Sequence, residues 1–335
     1  MIFINFYERS WGISIFLKLE NLFLTLICIL FSTLLVAANV KSYPTRPVRV
    51  LVGLGAGGGA DTIARITSQK LSEILGQSFI VDNRPSAGGS IACEIVAHAV
   101  PDGYTLLAMS PTHTATPSLR NNPGYDVIKD FDPIALTVFT PYVLSVRTAL
   151  PIYTVKDLIS TAKIKPLIYA SSGIGGGNHL TAELFNHMAG ISMTHVPYKS
   201  GAQAVSALIM GEVQVSFTAM GGLISHIKSG RIRAIAVTSP KRSAISPEIP
   251  TVGESGVPGY EVIGWYGLAT TANTPKFIIE QLNKNTNHAI HQLKDKFAEI
   301  GTEIAGGSHE LFKDFIKTEF IRWAKVIKYA GIKPE

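Results

Sequence analysis

The chain has 335 residues, 46% of them hydrophobic and 16% charged, with 30 glycines and 18 prolines. That length suits two lobes of ~100–200 residues better than one small core, and the composition excludes a disordered or coiled-coil protein, which needs more charge. The formal charge of +6 favours anionic ligands but not nucleic acid, because the Lys and Arg residues are scattered without interleaved aromatics.

In chain order, the first feature is Asn21–Ala38, a mostly apolar run preceded by Arg9 and Lys18 and ending in the small residues Ala37 and Ala38. It reads as a secretory signal peptide over residues 1–38, cut near Ala38; the alternative is an uncleaved membrane anchor. Either way the remainder is exported. Cys28 falls inside this leader, so Cys93 stands alone without a disulfide partner and reads as a small hydrophobe on a helix face.

The remainder alternates short β-rich runs with helical ones. Strands are expected at Val48–Val52, Phe79–Val81, Tyr104–Met109, Ile134–Phe139, Tyr142–Val146, Leu167–Ala170, Val213–Phe217 and Ala234–Val237. Helices are expected at Asp61–Leu75 closed by Gly76, Ser90–Val100, Thr154–Ala162, His179–Ala189 closed by Gly190, Pro275–His291 and His309–Ala330. In the last, Phe312, Phe315, Ile316, Phe320, Trp323 and Ile327 form a core-facing stripe. This alternation predicts an α/β fold in layers, with largely parallel sheets.

The two halves echo one another. Val48–Gly76 and Leu167–Gly190 each consist of an apolar strand, a loop ending in three glycines, and an amphipathic helix stopped by glycine. Glycine costs conformational entropy on ordering, so a loop that keeps three needs a positive φ or a close approach of main chain. The helix that follows starts with unpartnered amides and a positive dipole end, which suits a carboxylate or phosphate. A βα turn needs a glycine in any case, but two loops with one triplet favour a paired anion site: Gly57, Gly58 and Gly59 against Gly175, Gly176 and Gly177.

A competing pattern is Gly53-Leu54-Gly55-Ala56-Gly57-Gly58, a G-x-G-x-x-G between strand and helix, with Asp82 ending the next strand where a ribose-binding acid belongs. It defines the alternative, an exported or mislocalised nucleotide-binding enzyme. Export and the second glycine loop argue against it. Ser90 misses the G-x-S-x-G pattern at its last residue and reads as a helix cap, while His288 and His291 lack a third metal ligand nearby.

Six segments in order carry a family resemblance: Tyr43–Arg49, the first glycine triplet with Asp61, Asn83–Gly89, Pro101–Leu107, His195–Lys199 and Ile249–Glu261. Over Tyr43–Glu335 the chain resembles the Bug family of extracytoplasmic solute receptors of tripartite tricarboxylate transporters. The resemblance implies a two-lobed, type II-like periplasmic binding protein, each lobe a mixed, largely parallel sheet flanked by helices with the cleft between them. Lobe one would be residues 43–142 plus 265–335 and lobe two 143–264. It further implies a non-enzymatic receptor, monomeric and free of cofactor or metal, that hands a small carboxylated solute to membrane permease subunits; a sensor docking onto a signalling partner is the third possibility.

Site residues carry over one at a time. The first loop matches Gly57, Gly58, Gly59 and Asp61, the last either orienting water or capping amides. The second matches Ser171, Ser172, Gly173 and His179 together with its glycine triplet. Ala87, Gly88 and Gly89 match a turn between strands, and Ser110 with Thr112 a polar loop. Thr218 and Ala219 match the cleft end of the second sheet, while Trp265 and Tyr266 sit near the hinge and either wall the pocket or belong to the core. Leu54, Ala56, Ala60, Gly176 and Gly177 depart from the family pattern, which usually has prolines or hydroxyl residues there. The ligand identity of relatives is therefore not transferred.

Overall fold

The computed structural model describes residues 43–329 and 331–332, so the leader and Cys28 lie outside the described residues. Strand β1 (Val48–Val52) pairs in parallel with β2 (Phe79–Asn83) on one side and β3 (Thr105–Met109) on the other. Beyond β3 come β9 (Ile263–Thr271) and β4 (Phe131–Arg147), both antiparallel, then β7 (Val215–Ala219), β5 (Ile168–Ser171) and β6 (Thr194–Pro197). β8 (Ile232–Val237) and the short β10 (Glu303–Ile304) also pair with β4.

Strand β4 joins two sheets. Its first part, through Pro141, pairs with β9, whereas Tyr142 onward pairs with β7 and β8. The two runs expected at Ile134–Phe139 and Tyr142–Val146 are thus one strand of 17 residues. Pro141 has no N–H to donate, which made a break plausible; the strand tolerates it where it changes partner. β9 and β6 had no expected counterpart. Gly264 and Gly267 dilute the pattern of β9, and β6 lies at the end of the strand order, where alternation is weak.

Helices cover the sheets: α1 (Gly59–Leu75), α2 (Ser90–Ala97), α3 (Pro111–Ala115), α4 (Val155–Ile164), α5 (Gly177–Ala189), α6 (Gly201–Met210), α7 (Ile224–Lys228), α8 (Lys276–Gln292), α9 (Lys294–Glu299) and α10 (His309–Tyr329). Gly76 and Gly190 end α1 and α5 in the left-handed conformation, as the glycine stops require. Cys93 is fully buried on α2 among Leu51, Val96 and Leu107.

The stripe on α10 spans two cores. Phe312 and Ile316 pack with Leu51, Leu107 and Trp265, whereas Trp323 and Ile327 pack with Leu144, Phe185 and Tyr260. Between them Glu319 is buried, yet it accepts from Trp265 Nε1 at 2.8 Å, Trp323 Nε1 at 3.1 Å and Arg322 at 3.2 Å. A buried carboxylate without partners would be strongly destabilising, and these three donors remove that cost while tying β9 to α10.

Candidate functional site

A cavity of about 340 Å³ opens where the carboxyl ends of β1, β3, β5, β6 and β7 converge, the usual place for a ligand in an open α/β sheet. Of the expected residues, Gly57, Gly58, Gly59, Ser110, Thr112, Ser172, Gly177, Thr218, Ala219 and Tyr266 line it. Its walls also include Leu54, Ala60, Pro111, Tyr142 and Asn178. A further wall comes from Gly201, Ala202, Val205 and Ser206 of α6, and from Gly221, Gly222 and His226 on the turn into α7. Among the described lining residues there is no Asp, Glu, Lys or Arg.

The two glycine loops share a backbone plan. The first glycine of each triplet takes a positive φ, Gly57 at 77° and Gly175 at 75°. The third, which starts the helix, lies against a tyrosine: a Cβ at Gly59 would collide with Tyr266 Oη, and one at Gly177 with Tyr142 Oη. Both reasons for keeping glycine therefore operate in both loops. Burial pushes the Tyr142 and Tyr266 phenols up, so both remain neutral donors at the cavity.

The amides differ. In the first loop Gly57 N–H donates to Asp61 Oδ2 at 2.9 Å, but among the described residues those of Gly58, Gly59 and Ala60 have no acceptor in the protein. In the second, nearly every amide is used. Ser172 and His179 donate to Asn178 Oδ1, Gly173 to Ser171 Oγ and Gly175 to His179 Nδ1; Gly176 donates to Gly173 O and Gly177 to Thr112 Oγ1. Of this loop's lining residues only Asn178 keeps a bare amide. The paired bare cradle expected from the sequence is therefore lopsided, and the second sheet's unpartnered amides at the cavity include Gly201 and Ala202 at the start of α6, where Ser200 Oγ caps Gln203 N–H.

Several expected residues lie behind the cavity wall. Asp61 accepts from Gly57, Arg65 and Asn83. Burial works to raise its carboxyl, but Arg65, the Gly57 amide and Asn83 outweigh it and hold the group below the usual range. Its carboxyl thus ties the first glycine loop to Arg65 and Asn83. Ala87, Gly88 and Gly89 form a 3-10 turn; Gly88 and Gly89 back onto Thr116 and His113, which hold the Ser110–Thr112 segment from the rear. Trp265 is fully buried against Phe312 and Phe315, so it belongs to the core.

Ser171, Gly173, Gly175, Gly176 and His179 likewise build the second loop without lining the cavity. Ser171 Oγ meets His195 Nε2 at 2.6 Å, and the His195 ring stacks on Tyr169 and tilts against His179 with centroids 4.3 Å apart. Burial lowers His179 to about 3, with His195 adding to the effect, and lowers His195 to about 4. Both rings are thus neutral, which lets His179 Nδ1 accept from Gly175. The residues missed by sequence reading, those of α6 and α7, carried only an apolar run and lone Ser and His residues. The Gly201 helix start after Ser200 was the one signal that could have found them.

Asp82, the acid a ribose would need, is instead bound by Arg49 at 2.8 Å and Arg84 at 3.1 Å. The nucleotide-enzyme alternative loses its key contact.

The profile of the tripartite tricarboxylate transporter family receptor matches residues 63–332. Protein BugT of Bordetella pertussis (strain Tohama I) is 32% identical over 318 residues, covering 92% of this chain and 98% of its own. Two solved structures superpose well. Rpa4515 of R. palustris with adipate is 38% identical with a TM-score of 0.85, the match covering 88% of this chain and all of that one. MatC from Rhodopseudomonas palustris with bound malate is 29% identical with a TM-score of 0.81, covering 85% of this chain and all of that one. The chain belongs to the tripartite tricarboxylate transporter receptor family, the Bug group of periplasmic solute-binding proteins.

Proposed function

We propose that the protein captures a small carboxylated solute in the periplasm and delivers it, without chemical turnover, to the permease subunits of a tripartite tricarboxylate-type transporter. The observation that carries this is the cavity wall, which offers bare amides at Gly58–Ala60 and Gly201–Ala202 and hydroxyls at Ser110, Thr112, Tyr142 and Tyr266, but no charged side chain. Pre-oriented amides at helix N-termini bind a carboxylate without the entropy cost of ordering long cationic side chains. The adipate and malate bound by Rpa4515 and MatC support that ligand class.

The change of partner along β4 at Pro141 and Tyr142 supports a clamp of residues 43–142 plus 265–335 against 143–264, acting as a monomer. The α10 segment Trp323–Ile327 would then stay docked on the second lobe's core as a strap across the hinge. In this reading Gly57–Gly59, Ser110, Thr112, Ser172, Gly177, Thr218, Ala219 and Tyr266 touch the ligand or its waters, while Asp61, Gly88–Gly89, Ser171 and His179 hold them in place. A thermal-shift screen tests it. Adipate, malate or related di- and tricarboxylates should raise Tm in a concentration-dependent way. Stabilisation by NAD or FAD with none from organic acids would overturn it.

A further inference from the structure

We propose that His226 supplies the one positive charge of this cavity, taking up a proton as a dianionic solute binds and pairing with its second carboxylate. The inference rests on the carboxylate reading above and sharpens it to the dicarboxylate class.

Three observations converge. First, His226 is the only lining residue, among those described, that can become a cation near neutral pH, because the others are glycines, aliphatic residues, hydroxyl residues and Asn178. Second, its Nδ1 is buried and has no hydrogen-bond partner in the protein. That nitrogen is turned into the protein, which leaves Nε2, unengaged among the described residues, as the ring nitrogen a solute oxygen can reach. Third, its place is set by rigid main chain. β7 ends in Thr218 and Ala219, a 3-10 turn over Met220–Gly222 follows, and α7 carries His226 into the same cavity wall as Gly221 and Gly222.

The charges around the ring favour a neutral empty state. α7 packs on the 3-10 turn, which has no charged residue, and on β8, whose Arg233 donates to the carbonyls of Thr148, Leu150 and Ile152. Lys228 lies on α7 itself, and Arg231 follows it. Burial, and then Arg231, lower the ring below the ordinary histidine value. A carboxylate against the ring reverses that balance, since an anion in a poorly hydrated site favours imidazolium. The proton comes from solvent and forms an N–H bond at Nε2, with Nδ1 carrying the proton of the neutral ring; no other bond changes. Because the bound state has the higher pKa, affinity is greatest at low pH and falls as pH rises through the bound-state value.

Calorimetric titration of the full receptor with adipate tests this between pH 8 and 6.5, a window in which carboxylates stay ionised. Wild-type affinity should rise about fivefold to tenfold across it, with heats that differ between phosphate and Tris buffers by the proton taken up. Hexanoate, with a single carboxylate, should show neither effect. His226→Gln should bind adipate with no proton uptake and no pH slope, and its unliganded Tm establishes that it folds. An unchanged slope in His226→Gln, or adipate binding to wild type without proton uptake, overturns the inference alone. Failure of both adipate and malate to bind at any pH overturns the carboxylate reading and the inference together.

Discussion

The two glycine loops have the same backbone plan and opposite hydrogen-bond economies. The loop at Gly57–Gly59 leaves the amides of Gly58, Gly59 and Ala60 bare, and part of its seating comes from outside, where Gly55 N–H donates to Lys199 O at 3.3 Å. The loop at Ser171–Gly177 spends its amides on its own side chains, with Asn178, His179 and Ser171 as acceptors. A strand–glycine–helix motif thus sets where amides point, while neighbouring side chains decide whether a ligand can use them. In the second sheet the bare amides shift to α6, which follows the next strand, β6.

The sharpest way to break this contrast is at Gly55, where a Cβ would sit 2.8 Å from Lys199 O and 2.9 Å from Ser200 Cβ, both on the opposite sheet's β6–α6 turn. Gly55→Ala should weaken adipate binding by about 100-fold, ~2.7 kcal/mol, by keeping the first loop from that seat. Calorimetry would read the loss, and the unliganded Tm should stay near wild type. Wild-type affinity in this variant would mean that the contact is dispensable.

Asn178→Ala comes next and should act mainly on folding. It removes the acceptor for Ser172 N–H, Ser172 Oγ–H and His179 N–H, and should lower unfolding free energy by about 2 kcal/mol, or Tm by ~4–8 °C. Adipate affinity should fall less than tenfold. If binding collapsed while Tm held, the second loop would be a ligand cradle after all.

The smallest effect depends on pH. His179 is held neutral, at about 3 in the folded chain against an ordinary 6.5, so the unfolded chain binds its proton first. Its contribution is complete above pH 6.5 and is lost as pH falls from there toward 3. His179→Gln should therefore remove about 1 kcal/mol of the stability that the wild type loses between pH 7 and 5.5, read from urea midpoints. Identical pH profiles would show that the ring titrates normally.

Much of this was legible in the residues. Gly76 and Gly190 marked helix ends because only glycine takes the left-handed cap at no steric cost, and the stripe on α10 showed its buried face through three- and four-residue spacing. The glycine triplets located two walls of the cavity. Less visible were β9, thinned by Gly264 and Gly267, and the continuity of β4 through Pro141, since both depend on partners distant in the chain.

Local sequence thus determined the strand–loop–helix units, their caps and the glycine loops, because φ preferences and periodic burial act over a few residues. Tertiary structure alone decided which amides stay bare, that Trp265 is core while Tyr142 lines the cavity, and that α6 and His226 complete its wall. Those outcomes depend on which side chain arrives beside a given N–H or ring, and residues as far apart as Gly177 and Thr112, or Gly55 and Lys199, meet only once both sheets are assembled.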